Sequence, residues 1–309
     1  MQKLLDRLDE DRIKMFWWFV CERQRIYWKR EAGESRPWTK NKILHTHFFC
    51  NVYRELDRGT QYCIKNILNN NNYTLDGKVF RMMAYRLFNE PRTYEFMNKY
   101  LDYFNGREVA KMLDAKRYVH IRLFRGAWMA APPHDMKGMT KAGVYCMSLE
   151  RVFKQRVDLT KRLKALDSIE EAWHIIREAK FFGPFVALQC VLDLSYMRTF
   201  SSRWKDLDTW TYTGPGAKKG IYWLMGHNPV RSKGSKEFKK GMTDKDMIWI
   251  IQHLQINQSG YIKQYGLKFK KWEGKPLDVN NIEYSLCEFQ KFMRASRGGR
   301  KKSFSPSSD

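Results

Sequence analysis

Cysteine pairs are missing from this sequence: its six cysteines, at 21, 50, 63, 146, 190 and 287, form no CxxC and follow no regular spacing. Stretches such as FWWFVC and HFFCNV place them in apolar helical surroundings, where a free thiol behaves as a small hydrophobe. A disulfide framework and a zinc site are thereby disfavoured, and a reducing compartment is expected. The seven histidines (45, 47, 120, 134, 174, 227, 253) make neither an HExxH nor an HxE–CxxC pattern. No catalytic metal and no cofactor are therefore expected. Long apolar runs are missing too. The longest, Met15–Cys21, is far too short to span a bilayer, and MQKLLDRLDEDRIK has no signal-peptide core. A cytoplasmic, membrane-free protein is the expectation. Strand-like alternation is scarce, RYVHIRLF (117–124) being the best stretch, and no internal repeat is present.

Acidic residues are outnumbered, 33 against 57 Lys and Arg, for a formal net charge of +24. Solubility needs far less. A field of that sign attracts polyanions, so nucleic acid is the first partner to consider, ahead of a merely basic surface. Aromatic residues make up 15% of the chain, too many for a disordered polymer. A length of 309 residues allows one large domain or two lobes.

Helical periodicity dominates. Phe16, Val20, Arg23 and Tyr27 share one face, with Glu22, Arg25 and Lys29 on another. In 48–58, Phe48, Val52 and Leu56 form an apolar stripe, and Asn51, Arg54, Glu55 and Arg58 line the opposite side. Ser168-x-x-Glu171 predicts a capping box ahead of Ile169, Trp173 and Ile176, and Thr243 caps DKDMIWIIQHLQ. The class is mainly α. Loops are expected at 69–78, 130–143 and 226–243. They suggest an N-terminal helical lobe (1–142), a C-terminal lobe (143–293) and a basic, disordered tail (294–309).

Within the second lobe, YTGPGAKKGIYWL (212–224) invites comparison with a phosphate-binding loop. A Walker A loop requires Ser or Thr after its lysine and a strand before its first glycine. Neither is here, and Gly214, Gly216 and Gly220 are one residue too widely spaced for a dinucleotide fingerprint. SSRWKDLDTWTYT reads as a helix, leaving helix, tight glycine turn and helix over about 202–225. That shape resembles the helix-hairpin-helix of the DNA glycosylase superfamily. The resemblance implies a DNA-glycosylase-like helical fold that holds a DNA phosphate with the amides at Gly214 and Gly216 and the charges of Lys218 and Lys219. The plainer alternative is an ordinary turn between two helices. AWHIIREAKFFGPFVALQCVLDLSY also resembles the glycosylase helix that carries a Gln and, four residues on, an Asp: here Gln189 and Asp193.

A closer resemblance covers nearly the whole chain. FVCERQRIYWKREAGESRPWTKNKILHTHFFCNVYRELDRGTQY (19–62), GPFVALQCVLDL, TGPGAKKG and IEYSLCEFQKFMRASRGGR (282–300) occur in that order. Together they resemble the phage-type DNA base hypermodification family. It includes α-glutamyl/putrescinyl-thymine pyrophosphorylase-like proteins and the helical domain associated with 5-hydroxymethyluracil DNA kinases. The tail departs from the family form, since Arg297-Gly298-Gly299-Arg300 lacks the usual Glu, and no P-loop accompanies these segments. What the resemblance implies is action on double-stranded DNA carrying modified thymine, in the host cytoplasm if phage-encoded, alongside other enzymes of the modification pathway. The expected reaction replaces the pyrophosphate of 5-pyrophosphoryloxymethyluracil with an amino acid or polyamine. Such a target must be flipped from the stack, the leaving pyrophosphate stabilised by cations, and the nucleophile deprotonated.

Roles follow on that premise. Arg54 and Arg58 are assigned to phosphoryl oxygens, Asn51 to a base edge, and Glu55 to the general base or an anchor for the amine; Asp57 supports an arginine. Glu22, Arg23 and Arg25 are second candidates, with Gln189 beside the substrate. Asp193 orients the nucleophile or, in an excision enzyme, stabilises an oxocarbenium; bonding a loop amide is its plainer role. Cys287 reads as core. Two alternatives stay open: a DNA glycosylase or lyase, and a non-catalytic DNA-binding subunit of a thymine-modification kinase complex.

Overall fold

The computed structural model describes residues 2–118, 122–124, 138–229 and 242–298. No strand occurs among the described residues, and the mainly α class holds. The chain starts with α1 (Gln2–Leu5), α2 (Glu10–Glu31), α3 (Lys42–Thr46) and a 3-10 turn at Arg54–Leu56. Next come α4 (Arg58–Cys63) with a π-helical turn (Ile64–Leu68), α5 (Leu75–Phe88), α6 (Pro91–Asn98) and α7 (Gly106–Tyr118). They are followed by α8 (Lys141–Ala165), α9 (Ile169–Glu178), α10 (Pro184–Ser195) and α11 (Arg198–Ser201). The chain continues with α12 (Pro215–Leu224), α13 (Asp244–Ile256), α14 (Gln258–Gln264), a 3-10 turn at Trp272–Gly274, and α15 (Val279–Ala295).

Two compact units result, one joining 1–57 to 208–309, the other comprising 58–207. The loop-based cut at 142/143 falls at the first residues of α8, inside the second unit, because α8 packs on α5 and α7. Arg117 and Tyr118 of the expected strand close α7, and 119–121 lie outside the described residues. So do 230–241 of the expected basic loop and 299–309 of the tail, whose first residues continue α15 to Ala295.

In the first unit, Phe16, Phe19 and Val20 of α2 meet Ile250 of α13 and Leu286, Phe289 and Phe292 of α15. Phe16 lies edge-on to Phe289 at 5.5 Å between ring centres, and Phe19 tilts against Phe292 at 5.0 Å. Burying each such side chain is worth about 1.5–3 kcal/mol. The stripe expected on α2 is real, since Phe16, Val20, Arg23 and Tyr27 are all buried. Thr243 and Asp246 form a full capping box on α13. Ser168 caps α9 at Glu171, but Asp206 supplies the carboxylate that completes the cap, at Ile169 and Glu170.

α12 crosses α15 through small residues. Neither Gly214 nor Gly216 takes a left-handed φ. A Cβ on Gly216 would strike Cys287 Sγ, and one on Gly220 would lie 2.8 Å from the Leu286 carbonyl carbon. Close helix contact therefore explains Gly216 and Gly220. The segment before them is not the expected helix: α11 ends at Ser201, and residues 202–214 run through turns and irregular backbone. A helix-hairpin-helix over 202–225 therefore has only its second helix.

The second unit has its own core, in which Phe80, Tyr85 and Phe88 of α5, Tyr145 and Leu149 of α8, and Leu188 and Val191 of α10 are buried. Among the described residues, no helix is long and apolar enough to cross a membrane.

Candidate functional site

The C-terminal half of α2 forms one wall of a cleft within the first unit. Arg23, Tyr27 and Arg30, at i, i+4 and i+7, line it together with residues from 36–51. The cleft encloses about 660 Å³, open solvent included. Its other walls are tied to α2 by polar bonds. Arg23 donates through Nε to the Cys50 carbonyl (3.1 Å) and through Nη2 to the carbonyls of Cys50 and Asn51, the latter at 2.8 Å. Glu22 accepts from Thr39 Oγ1 and pairs with Arg25 at 2.5 Å. Thr39 Oγ1 in turn accepts the Asn41 amide, and Asn41 caps α3 by accepting the amides of Ile43 and Leu44. Glu22 and Arg23 thus hold the frame of the cleft.

Its lining is one-sided in charge. Arg23, Arg30, Arg36, His45 and His47 face it and, among the described residues, no carboxylate does. Aromatic rings alternate with them: the Arg36 guanidinium lies 4.7 Å from the Trp38 ring centre and that of Arg30 5.5 Å from Tyr27. Phe48, 49% exposed, and Phe49 complete the apolar part. His47 Nδ1 is buried with no hydrogen-bond partner among the described residues. Such an atom normally has one, so it is a ready contact for a polar ligand. Planar rings beside guanidinium groups suit a ligand that combines a flat heterocycle with a multiply charged anion.

Residues 51–58 do not form the polar helix face expected of them. Residues 48–53 are irregular, and side chains from outside the stretch take amides in it and just after it. Glu288 accepts that of Cys50 (3.4 Å), Asp57 that of Asn51 (3.0 Å) and Asn281 that of Arg54 (2.9 Å). The Asn51 side chain donates to the Leu56 carbonyl at 2.7 Å, so it folds its own turn while its backbone lines the cleft. Arg54 is 3% exposed in the 3-10 turn, Glu55 is half-buried beside it, and Arg58 opens α4 in the other unit. Asp57 accepts from Asn51 and from the Tyr284 hydroxyl (2.6 Å) instead of supporting an arginine by a direct bond. Burial pushes its carboxyl up to about 6.

Asp193 lies in the second unit, fully buried, with both oxygens held by Arg86 at 2.5 and 2.7 Å. Cys63 Sγ donates to it at 3.4 Å. Arg86 neutralises its charge, whereas the sequence reading aims Asp193 at a nucleophile or sugar. Gln189, one turn earlier, is 5% exposed.

The glycine turn is likewise engaged. The Gly214 amide donates to Glu283 Oε1 at 3.1 Å, so the start of α12 already faces a carboxyl group. Burial raises Glu283 to about 7 and the Cys287 thiol to about 12, the latter consistent with core packing. Lys218 pairs with Asp244 at 2.5 Å, while Lys219 is exposed.

Arg30, Arg36, Trp38, His45 and His47 escaped the reading from periodicity. The signal is RPWTKNKILHTHFF, in which cations, histidines and rings interleave, but a cleft wall has no helical repeat to reveal it.

The family model described as "5-hmdU DNA kinase, helical domain" matches residues 10–302. The 5-hmdU DNA kinase of Bacillus phage SP10 is 26% identical over 299 residues, an overlap of 90% of this chain and 44% of the relative. The chain therefore spans less than half the length of that relative. No solved structure matches.

Proposed function

The chain belongs to the 5-hmdU DNA kinase helical-domain family, and from this we propose that it binds DNA bearing a 5-hydroxymethyluracil derivative and receives that base in the cleft of residues 23–51. One observation carries the reading: three arginines and two histidines face the cleft among aromatic rings, with no carboxylate among the described residues. A pyrimidine with a phosphorylated hydroxymethyl group matches both halves of that lining. The net charge of +24 supplies the sequence-independent attraction to the duplex.

The reaction proposed there is group transfer at the exocyclic methylene. The C–O bond to pyrophosphate breaks, and the oxygen keeps the electron pair. The amine of an amino acid or polyamine forms the new C–N bond. Arg30 and Arg36 stabilise the departing anion, and His45 or His47 accepts the proton the amine loses. This moves the roles first assigned to Arg54, Arg58 and Glu55 to cleft residues. The named activity of the longer relative favours a second reading, in which the chain is the DNA-recognition part of a kinase.

One experiment tests both. Duplexes carrying thymine, 5-hydroxymethyluracil or its pyrophosphorylated form are compared for binding, then incubated with amino acids and polyamines for nucleoside mass spectrometry. The expected result is tightest binding to the pyrophosphorylated duplex and a new amino-substituted nucleoside. Arg36→Ala should reduce the preference about 10-fold or more, in line with about 1.5–3 kcal/mol for a charged hydrogen bond. Preference without product selects the kinase-subunit reading. Equal binding to all three duplexes sinks the proposal.

A further inference from the structure

Beside the cleft, residues 263–275 read KQYGLKFKKWEGK, with five lysines and one carboxylate. All five lysines are exposed, while Leu267, Phe269 and Trp272 turn inward onto the core of the first unit. The backbone beneath the lysines is fastened. Gly266, at φ +61°, ends α14, and the Leu267 amide donates back to the Ile262 carbonyl at 2.9 Å. The Lys270 carbonyl accepts from Trp28 Nε1 (2.9 Å) and Gln24 Nε2 (3.3 Å), and the Tyr53 hydroxyl donates to the Lys275 carbonyl at 2.7 Å. The Tyr53 ring stacks on Phe269 and tilts against Trp272. Lys270 Nζ lies 4.3 Å from the Trp28 ring centre. The one carboxylate, Glu273, is paired with Lys275 at 2.6 Å, so Lys263, Lys268, Lys270 and Lys271 keep the local field positive.

The place of this strap on α2 gives it meaning. Gln24 and Trp28 hold it, while Arg23 and Tyr27, one residue earlier, line the cleft. A step of one residue turns about 100° around a helix roughly 10 Å across, so strap and cleft occupy adjoining faces of one helix. We propose that the strap 263–275 is the track for the DNA phosphate backbone, from which the target nucleotide turns into the cleft. The inference rests on the reading of the cleft as a modified-base site. Charge complementarity selects a phosphate backbone, and the family of the chain selects DNA. The glycine turn cannot serve equally, because its first amide is bonded to Glu283 and Lys218 to Asp244.

The test measures duplex affinity against salt for the full chain and for Lys268→Ala/Lys270→Ala/Lys271→Ala. Each lost phosphate contact lowers the slope of log K against log salt by about 0.9. The triple variant should therefore flatten it by about 2 to 3 and weaken thymine and modified duplexes by the same factor. Lys270 packs on Trp28, so Lys268→Ala/Lys271→Ala keeps the test open should the triple variant melt early. An unchanged slope in a folded variant overturns the proposal. So does flattening confined to Lys218→Ala/Lys219→Ala, or wild-type preference for single-stranded RNA over duplex DNA. A flattened slope in a protein without base preference would uphold the track while sinking the cleft reading, so the two failures are distinguishable.

Discussion

Buried ionisable side chains in this protein mostly bind the fold to itself. Arg86 and Asp193 neutralise one another inside the second unit, and removing either alone would strand a charge at a cost of about 3–5 kcal/mol. Glu283 has no such cation beside it in the bonds it makes: it accepts the Gly214 amide, and burial raises its carboxyl from 4.5 to about 7. The folded chain holds that proton more tightly than the unfolded chain does. Its contribution to stability is therefore complete below pH 4.5 and is lost as pH rises to about 7. Gln keeps an oxygen for the Gly214 amide without the charge. Glu283→Gln should raise stability at pH 8 by up to about 3 kcal/mol, with a much smaller gain at pH 5. Urea unfolding at both values checks it; equal gains at the two pH values would show that the carboxyl titrates normally. Sequence could mark Glu22, Arg23 and Glu283 as polar members of apolar helices. Their partners, at positions 39, 50–51 and 214, are distant in sequence and leave no periodic trace.

Among the elements, those with local causes were legible and those with remote causes were not. α2 follows from its stripe, and α13 from Thr243 with Asp246 three residues on. The segment 48–58 has an equally good helical stripe, yet Glu288 and Asn281 take amides at Cys50 and Arg54, and residues 48–53 are irregular. Helical spacing over ten residues is a permissive pattern, and here tertiary hydrogen bonds override it. The glycines of 214–220 are ambiguous for a related reason. Their spacing suits a phosphate-binding turn and equally suits a helix pressed against another, and only α15 decides between them. Gly220 meets the Leu286 backbone, which cannot rotate away, whereas Gly216 meets the Cys287 side chain, which can. Gly220→Ala should therefore destabilise more than Gly216→Ala. Overpacking of about 1–3 kcal/mol outweighs the roughly 1 kcal/mol that alanine adds to helix propensity. Thermal melts of the two variants give the order, and a Gly220→Ala protein as stable as wild type would place the α12–α15 contact elsewhere.

For the whole molecule, composition suggests a class of partner, while the units follow packing. An excess of 24 positive charges pointed to nucleic acid before any element was placed. The division into units follows packing and leaves no linker in the sequence: Asp57 alone separates the 3-10 turn from α4. The composition-based cut at 142/143 falls within one unit, 58–207. Continuity of chain then differs between the two. The core of 58–207, including Phe80, Tyr85, Tyr145, Leu149 and Val191 and the Arg86–Asp193 pair, comes from one uninterrupted segment. That of the other unit joins Phe16 and Phe19 to Phe289 and Phe292, residues from opposite ends of the sequence. A fragment of residues 58–207, close to the common size of an independent domain, should be helical by circular dichroism and unfold in one cooperative transition. Residues 1–57 alone should show no such transition, because the apolar stripe of α2 has no partner among them large enough to cover it, and addition of 208–309 should restore one. A broad, non-cooperative melt of 58–207 would mean that this unit depends on the rest of the chain to fold.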